Sequence, residues 1–330
     1  MKPANYLQAA RWFLPFRIMF SGLYRLIISA RNFFYDHGVF KIHNVKTPVI
    51  SVGNISVGGS GKTILVQSLL DYFLSNNKKP AVLSRGYGRQ SKGLHLVATE
   101  STLLGTPGDS GDEPFLIANN FPGVPVVVSE DRVKGAKYIG DIFSPDVIIL
   151  DDGYQHRRLN RDLNILIIDF PSTQKNHVLP WGVLRENARN SDRADIVLYS
   201  KEGQRLRSDF NLDFTLDLDV FDHAGKGLPL ATLSGNYGLF AGLGKPHSFF
   251  NSVHRIHPAS VVQISFPDHS IYGKKQLDAI SAYPCDYWLT TQKDFIKLDP
   301  RFCKQKSIYF VKVSTRLPAP LFKHLKKFFK

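Results

Sequence analysis

The sequence predicts an α/β protein: a mostly parallel sheet with helices on both faces, joined to a smaller C-terminal α/β lobe and preceded by an amphipathic helix. Three observations carry this. Between residues 48 and 200, short apolar runs alternate with helix-length segments. A glycine-rich loop, VGNISVGGSGKT (52–63), joins the first run to a stretch of helical periodicity. After residue 202 the texture changes to strict alternation, then to a second series of apolar runs.

The length of 330 residues exceeds one average domain and suits two. Lys and Arg number 42 against 28 Asp and Glu, a formal charge of +14. That excess points to an anionic partner: nucleic acid, an acidic membrane surface or a phosphorylated substrate. The two cysteines, Cys285 and Cys303, are too few for a disulfide scaffold and lack zinc spacing, so they read as reduced thiols in a cytosolic setting.

Residues 1–35 hold Lys2, Arg11, Arg17, Arg25 and Arg31 and no acid. Pro15 is a good early residue for a helix. Wound at 100° per residue, Arg17, Ser21, Arg25, Arg31 and Asn32 share one face. Phe16, Met19, Phe20, Leu23, Leu26, Ile27, Ala30, Phe33 and Phe34 cover the rest, with Ile18 and Ile28 intruding on the polar side. Arginines within the apolar run argue against a spanning segment, and no small-residue cleavage site follows. An interfacial helix fits this pattern; a helix packed on the protein's own core is the alternative.

Expected strands are 48–52, 80–84, 124–129, 146–150, 164–169 and 195–200, apolar throughout, as in a parallel sheet covered on both faces. DFNLDFTLDLDVF (209–221) alternates strictly and reads as one half-buried antiparallel strand. Further strands are expected near 238–241, 261–266, 286–290 and 308–313. The tail LFKHLKKFFK is a short basic amphipathic helix, either a surface contact or a solvated end. The expected organisation is a membrane-associated helix (1–35), a core (36–201), a connector with strands (202–235) and the C-terminal lobe (236–330).

The loop departs from G-x-x-x-x-G-K-[ST] only at Ser56, where the first glycine should stand. Its strand-to-helix context is the one a phosphate-binding loop requires. The backbone of Ser56, Val57, Gly58, Gly59, Ser60 and Gly61 would turn its amides toward phosphate oxygens, Lys62 would reach the β- and γ-phosphates, and the Thr63 hydroxyl would hold Mg²⁺. The core is therefore P-loop NTPase-like. Such a protein needs an acidic metal ligand at a buried strand tip, and DVIILDDGYQH offers Asp151 and Asp152.

Other candidate positions are less decided by spacing alone. Asp112 and Glu113 in GDSGDEPF suit either a helix cap or a base that takes a hydroxyl proton. Arg85 and Arg89 in SRGYGR suit phosphate. His269 follows a strand in FPDH, where a lone histidine is more often structural. TTQKD (290–294) lacks the guanine-recognition spacing N-K-x-D, and no D-x-x-G stands near Asp151. A membrane-associated P-loop NTPase acting with a protein partner is the competing reading. Nucleic acid is disfavoured, because the positive charge concentrates in a terminal apolar helix instead of an aromatic-studded groove.

Together, SVGNISVGGSGKT, LSRGYGR, GDEPFLIA, LDDGYQHRRL, VLRENAR, AGLGKPHSFF, SFPDHSIY and TTQKDFIKL resemble the tetraacyldisaccharide 4′-kinase family, the lipid A 4′-kinases of Gram-negative bacteria. The resemblance runs from the N-terminal helix to about residue 298. The family's loop carries Ser or Thr in place of the first glycine; Ile64 stands where proline is usual, and Tyr154 where Phe is frequent. The resemblance implies transfer of the ATP γ-phosphate to the 4′-hydroxyl of an acylated glucosamine disaccharide 1-phosphate. It places a monomeric enzyme at the cytosolic face of the inner membrane, peripheral or monotopic through its N-terminal helix. It implies lobes that close around nucleotide, Asp112 as the base and His269 as its partner. Asp151 and Asp152 would hold metal and position phosphate, Asp152 as a catalytic group beside Lys62, with Glu113 assisting. Arg185 and Glu186 would lie near the sugar, with Arg85 in the same substrate-binding set.

Overall fold

The structure is a computed structural model, and it describes residues 14–169, 177–200, 208–258 and 262–329. Residues 1–13 of the expected N-terminal helix and 202–207 of the expected connector lie outside these. The strands are β1 (Val49–Asn54), β2 (Pro80–Ser84), β3 (His95–Ala98), β4 (Val126–Val128), β5 (Val147–Asp151), β6 (Leu163–Ile168) and β7 (Ile196–Ser200). They continue as β8 (Asn211–Leu212), β9 (Phe214–Phe221), β10 (Gly227–Pro229), β11 (Tyr237–Ala241), β12 (Val262–Ser265), β13 (Tyr287–Thr291) and β14 (Ile308–Thr315). The helices used below are α1 (Leu14–Asp36), α2 (Lys62–Ser75), α3 (Asp112–Asn120) and α4 (Gln292–Phe295).

The chain divides into two compact units. One is formed by Met1–Lys62, Arg132–Leu212 and Leu317–Lys330, the other by Thr63–Asp131 and Asp213–Arg316. The cut differs from the expected lobes: residues 63–131 group with the C-terminal half, so Asp112 and His269 belong to the same unit.

In the first unit the strand order is β5-β1-β6-β7-β8, all neighbours parallel. β1 and β5 are buried along their whole length, as their unbroken apolar runs require. Because β1 pairs with β5 in register Val52↔Asp151, the glycine loop after β1 and the aspartates ending β5 leave the sheet at the same edge. The C-terminal tail is packed: Leu321, Leu325 and Phe328 are buried.

Helix α1 also belongs to this unit, and it is docked by its polar side. Ser21 and Asn32 are buried, while Met19, Phe20, Leu23, Leu26, Ile27 and Phe33 are each more than half exposed. The polar stripe seen in the sequence is thus the face that meets the protein. The helix therefore packs on the protein and leaves its apolar side exposed. No helix among the described residues is long and apolar enough to cross a membrane.

In the second unit, β2 runs parallel to β4 and β3 antiparallel to it. A six-stranded sheet has the order β10-β9-β14-β13-β11-β12, in which β9 alone runs against the other strands. The alternating run 209–221 is not one strand. It breaks at Asp213, so that β8 extends the first unit's sheet and β9 pairs with β14.

The six-stranded sheet depends on one close approach. Gly238 of β11 lies beside Trp288 of β13, and a Cβ there would come within 2.4 Å of the buried indole. Gly238→Ala should therefore destabilise the protein by about 1–3 kcal/mol through overpacking, read as a lower unfolding midpoint in urea.

Candidate active site

The glycine loop turns through Gly58 (φ 119°) and Gly61 (φ 89°), conformations that side chains rarely adopt. Ser56 has work that glycine cannot do: its hydroxyl donates to Asp169 Oδ1 at 2.5 Å. Asp169 follows β6, the strand on the other side of β1. Asn54, at the end of β1, donates to Ser60 Oγ at 3.0 Å. The residue that looked like a missing glycine is therefore a tether between neighbouring strand ends.

Asp151 ends β5 and is 1% exposed. Asp152 follows with a positive φ of 50°, a strained state that a non-glycine residue holds only when its surroundings enforce it. Here two cations do so. Arg185 Nη1 donates to both carboxylate oxygens of Asp152 at 2.8 Å, and Lys62 Nζ stands 3.5 Å from Oδ1. Burial alone would raise the Asp152 carboxyl; Lys62 and Arg185 outweigh it and hold it below the usual carboxylate range. Lys62, Asp152 and Arg185 are thus brought together in one unit.

Glu186, expected near the sugar, is fully buried. Its carboxylate accepts from Gln155 at 2.9 Å, Asn190 at 2.9 Å, Arg193 at 2.8 Å and Asn32 of α1 at 3.2 Å. This is a hub of protein donors.

The second constellation lies wholly in the other unit. Asp112 opens α3. His269 Nδ1 lies 3.1 Å from Asp112 Oδ2, and its backbone has φ 57°. Two of the few non-glycine residues with positive φ are thus Asp152 and His269. Lys297 Nζ stands 3.3 Å from Asp112 Oδ2 and 3.3 Å from Oδ1 of the fully buried Asp294. Lys293 Nζ lies 3.3 Å from His269 Nε2, 3.7 Å from Glu113 and 3.5 Å from Asp268. Burial would raise the Asp112 carboxyl, but the His269 hydrogen bond and the Lys297 and Lys293 charges hold it below its ordinary value. Arg85 is exposed, and Arg89 is engaged with Glu130 at 2.5 Å.

Among the described residues no group of three or more His, Cys, Asp or Glu stands ready to hold a metal. Mg²⁺ needs none, since it takes one or two carboxylates with substrate phosphates and water. The carboxylate of Asp151 at the strand tip fits that chemistry, while both oxygens of Asp152 are taken by Arg185.

Asp169 and Lys297 were not foreseen as site residues. Asp169 carried a signal, as an acid ending an apolar run. Lys297 carried only its place in TTQKDFIKL, because its partner Asp112 lies 185 positions away.

The family described as tetraacyldisaccharide-1-P 4′-kinase matches residues 11–330. The chain belongs to that family. Its relatives include the tetraacyldisaccharide 4′-kinase of Geobacter sulfurreducens, 35% identical over 91% of this chain and 89% of the relative. That of Aquifex aeolicus is 39% identical over 84% of this chain and 88% of the relative. Among solved structures, the crystal structure of LpxK from Aquifex aeolicus in complex with ATP matches with a TM-score of 0.80 and 35% identity, covering 95% of this chain and 98% of that one. The mixed α/β architecture expected from the sequence is that of the family.

The depressed pKa of Asp112 has a pH consequence. Its folded value lies below the ordinary 3.8, so its stabilising contribution is fully present above the unfolded value and is lost as pH falls through the folded one. The stability difference between the parent and Asp112→Asn should shrink as pH drops below about 4, followed by urea unfolding at a series of acid pH values. A difference that grows in acid would contradict this.

Proposed function

We propose that the chain phosphorylates the 4′-hydroxyl of an acylated glucosamine disaccharide 1-phosphate with the γ-phosphate of ATP, as its family membership implies. The observation that carries the phosphoryl-transfer reading is Lys62, at the end of the glycine loop, held 3.5 Å from the strand-tip carboxylate of Asp152. Phosphoryl transfer asks a protein for positioning and charge stabilisation. The amides of residues 56–61 and the Lys62 ammonium supply both to the phosphates; Asp151 is the carboxylate we assign to Mg²⁺, and the Thr63 hydroxyl keeps the role its place in the loop motif gives it. Bound with ATP, that ion neutralises phosphate charge. Asp152, already matched by two cations, is assigned to holding Lys62 and Arg185 in place.

The expected proton acceptor was Asp112. Its lowered pKa makes the carboxylate a weak base. We therefore place proton acceptance on the Asp112–His269 pair: with the ionised carboxylate accepting from Nδ1, the lone pair lies on Nε2, the atom 3.3 Å from Lys293 Nζ. Asp112 orients the ring and stabilises the imidazolium that forms. Glu113, paired with Lys293, is grouped with this cluster instead of the metal. Arg185 and Glu186 are read as supports of the loop, and Arg85 remains the exposed candidate for a substrate phosphate.

The acceptor's acyl chains account for α1. Its outward apolar face gains about 1.5–3 kcal/mol per large side chain removed from water, and the chain's positive charge suits anionic headgroups. We place the enzyme on an anionic membrane surface, at the cytosolic face of the inner membrane.

Lys62→Ala should lower transfer of ³²P from γ-labelled ATP to the lipid disaccharide 1-phosphate by about 10²-fold or more, and Asp112→Ala by about 10²–10⁴-fold, both with native circular dichroism. Wild-type rates in either would sink the site assignment. Deleting residues 1–35 should weaken co-sedimentation with anionic vesicles; unchanged binding would remove the helix as the main anchor.

A further inference from the structure

Within the first unit, the strap of residues 178–186 meets α1 on one side and the phosphate loop on the other. Toward the helix, its carbonyls accept from polar side chains. Arg17 reaches Pro180 at 2.9 and 3.2 Å, Ser21 reaches Val178 at 2.7 Å, and the Tyr24 hydroxyl reaches Arg185 at 2.8 Å. Toward the loop, the Val57 amide donates to Val183 at 2.8 Å and the Arg185 amide to Ile55 at 2.7 Å. Ser56 and Leu184 form an antiparallel bridge. Arg185 thus uses three groups at once: its carbonyl takes the helix, its amide takes the loop, and its guanidinium takes Asp152.

A second route runs in parallel. Asn32 of α1 donates to Glu186 Oε2 at 3.2 Å. Gln155 Nε2 donates to Glu186 Oε1 at 2.9 Å and to the Asn54 carbonyl at 2.8 Å. Asn54 in turn holds Ser60 of the loop. Asn32 and Glu186 are 5% and 0% exposed, so these bonds lie away from competing water, where a broken one is costly.

A helix that served only to touch lipid would need neither route. Residues 57–61, for their part, form no helix or strand, and their amides serve phosphate only if held in place beforehand. We propose that Tyr24 and Asn32 of α1 are positioning residues for the phosphate loop, so that ATP affinity depends on the docking of the same helix whose other face is apolar and exposed. The proposal rests on residues 56–63 being the ATP loop.

Calorimetric titration of ATP–Mg²⁺ into the full chain in detergent micelles tests it. The variants are Tyr24→Phe, Asn32→Ala and their combination, with Leu26→Ser on the exposed apolar face as control. The midpoint of thermal unfolding without nucleotide is recorded alongside. Tyr24→Phe keeps the ring and removes one hydroxyl, so the fold is preserved. The expected result is a Kd for ATP raised about three- to tenfold by each variant, the loss of one hydrogen bond, with Leu26→Ser at the parental value. A purely structural role would lower the unfolding midpoint and leave Kd unmoved. An ATP Kd in the combined variant equal to that of the parent overturns the proposal. Absence of ATP binding in the parent itself would instead overturn the loop assignment beneath it.

Discussion

A carboxylate at the end of a buried apolar strand is the constraint from which much of the first unit follows. Taking even part of the Asp152 carboxylate out of water is costly unless cations offset it. The fold answers with Arg185 from the strap and Lys62 from the glycine loop. Each cation, in satisfying the acid, fixes the element that carries it. The loop's lysine is aimed, the strap is pinned along the loop, and the strap in turn receives α1. Without the charge at the strand tip, nothing in the packing of β1 and β5 would dictate where Lys62 points.

The second constellation follows the same logic with a different outcome. Asp112 is surrounded by Lys297, Lys293 and His269, which hold its carboxyl below the ordinary value. The backbone at His269 is held in a left-handed state, as it is at Asp152. Strained residues persist where surrounding bonds over-determine them. Here those bonds are ion pairs of the candidate site itself, so the chemistry and the local geometry depend on one another.

Much of this was legible in the sequence because buried parallel strands leave little choice of residue. The apolar runs before β1, β2, β5 and β7 and the acids closing β5 could be read directly. β3 and β10 were missed because they are short edge strands, and β10 ends in Gly and Pro. The break at Asp213 was hidden by an alternation that continues unbroken through it. The amphipathic stripe of α1 was visible, but a stripe does not say which side faces the protein. That was decided by Ser21, Tyr24 and Asn32 finding partners some 150 residues away. Glu186 was recognised by resemblance, yet only the structure shows that its neighbours are protein donors. Long-range polar pairs such as Lys297 with Asp112 leave no periodic trace and await the fold.

The Asp152–Arg185 pair organises the loop that we assign to ATP. A double-mutant cycle with Asp152→Asn and Arg185→Gln, read by ATP affinity, tests this most directly. If the pair acts as a unit, the second substitution adds little to the first, and the coupling is at least about 1 kcal/mol. Fully additive losses would mean that each residue serves ATP separately and that the strand-tip charge does not organise the loop.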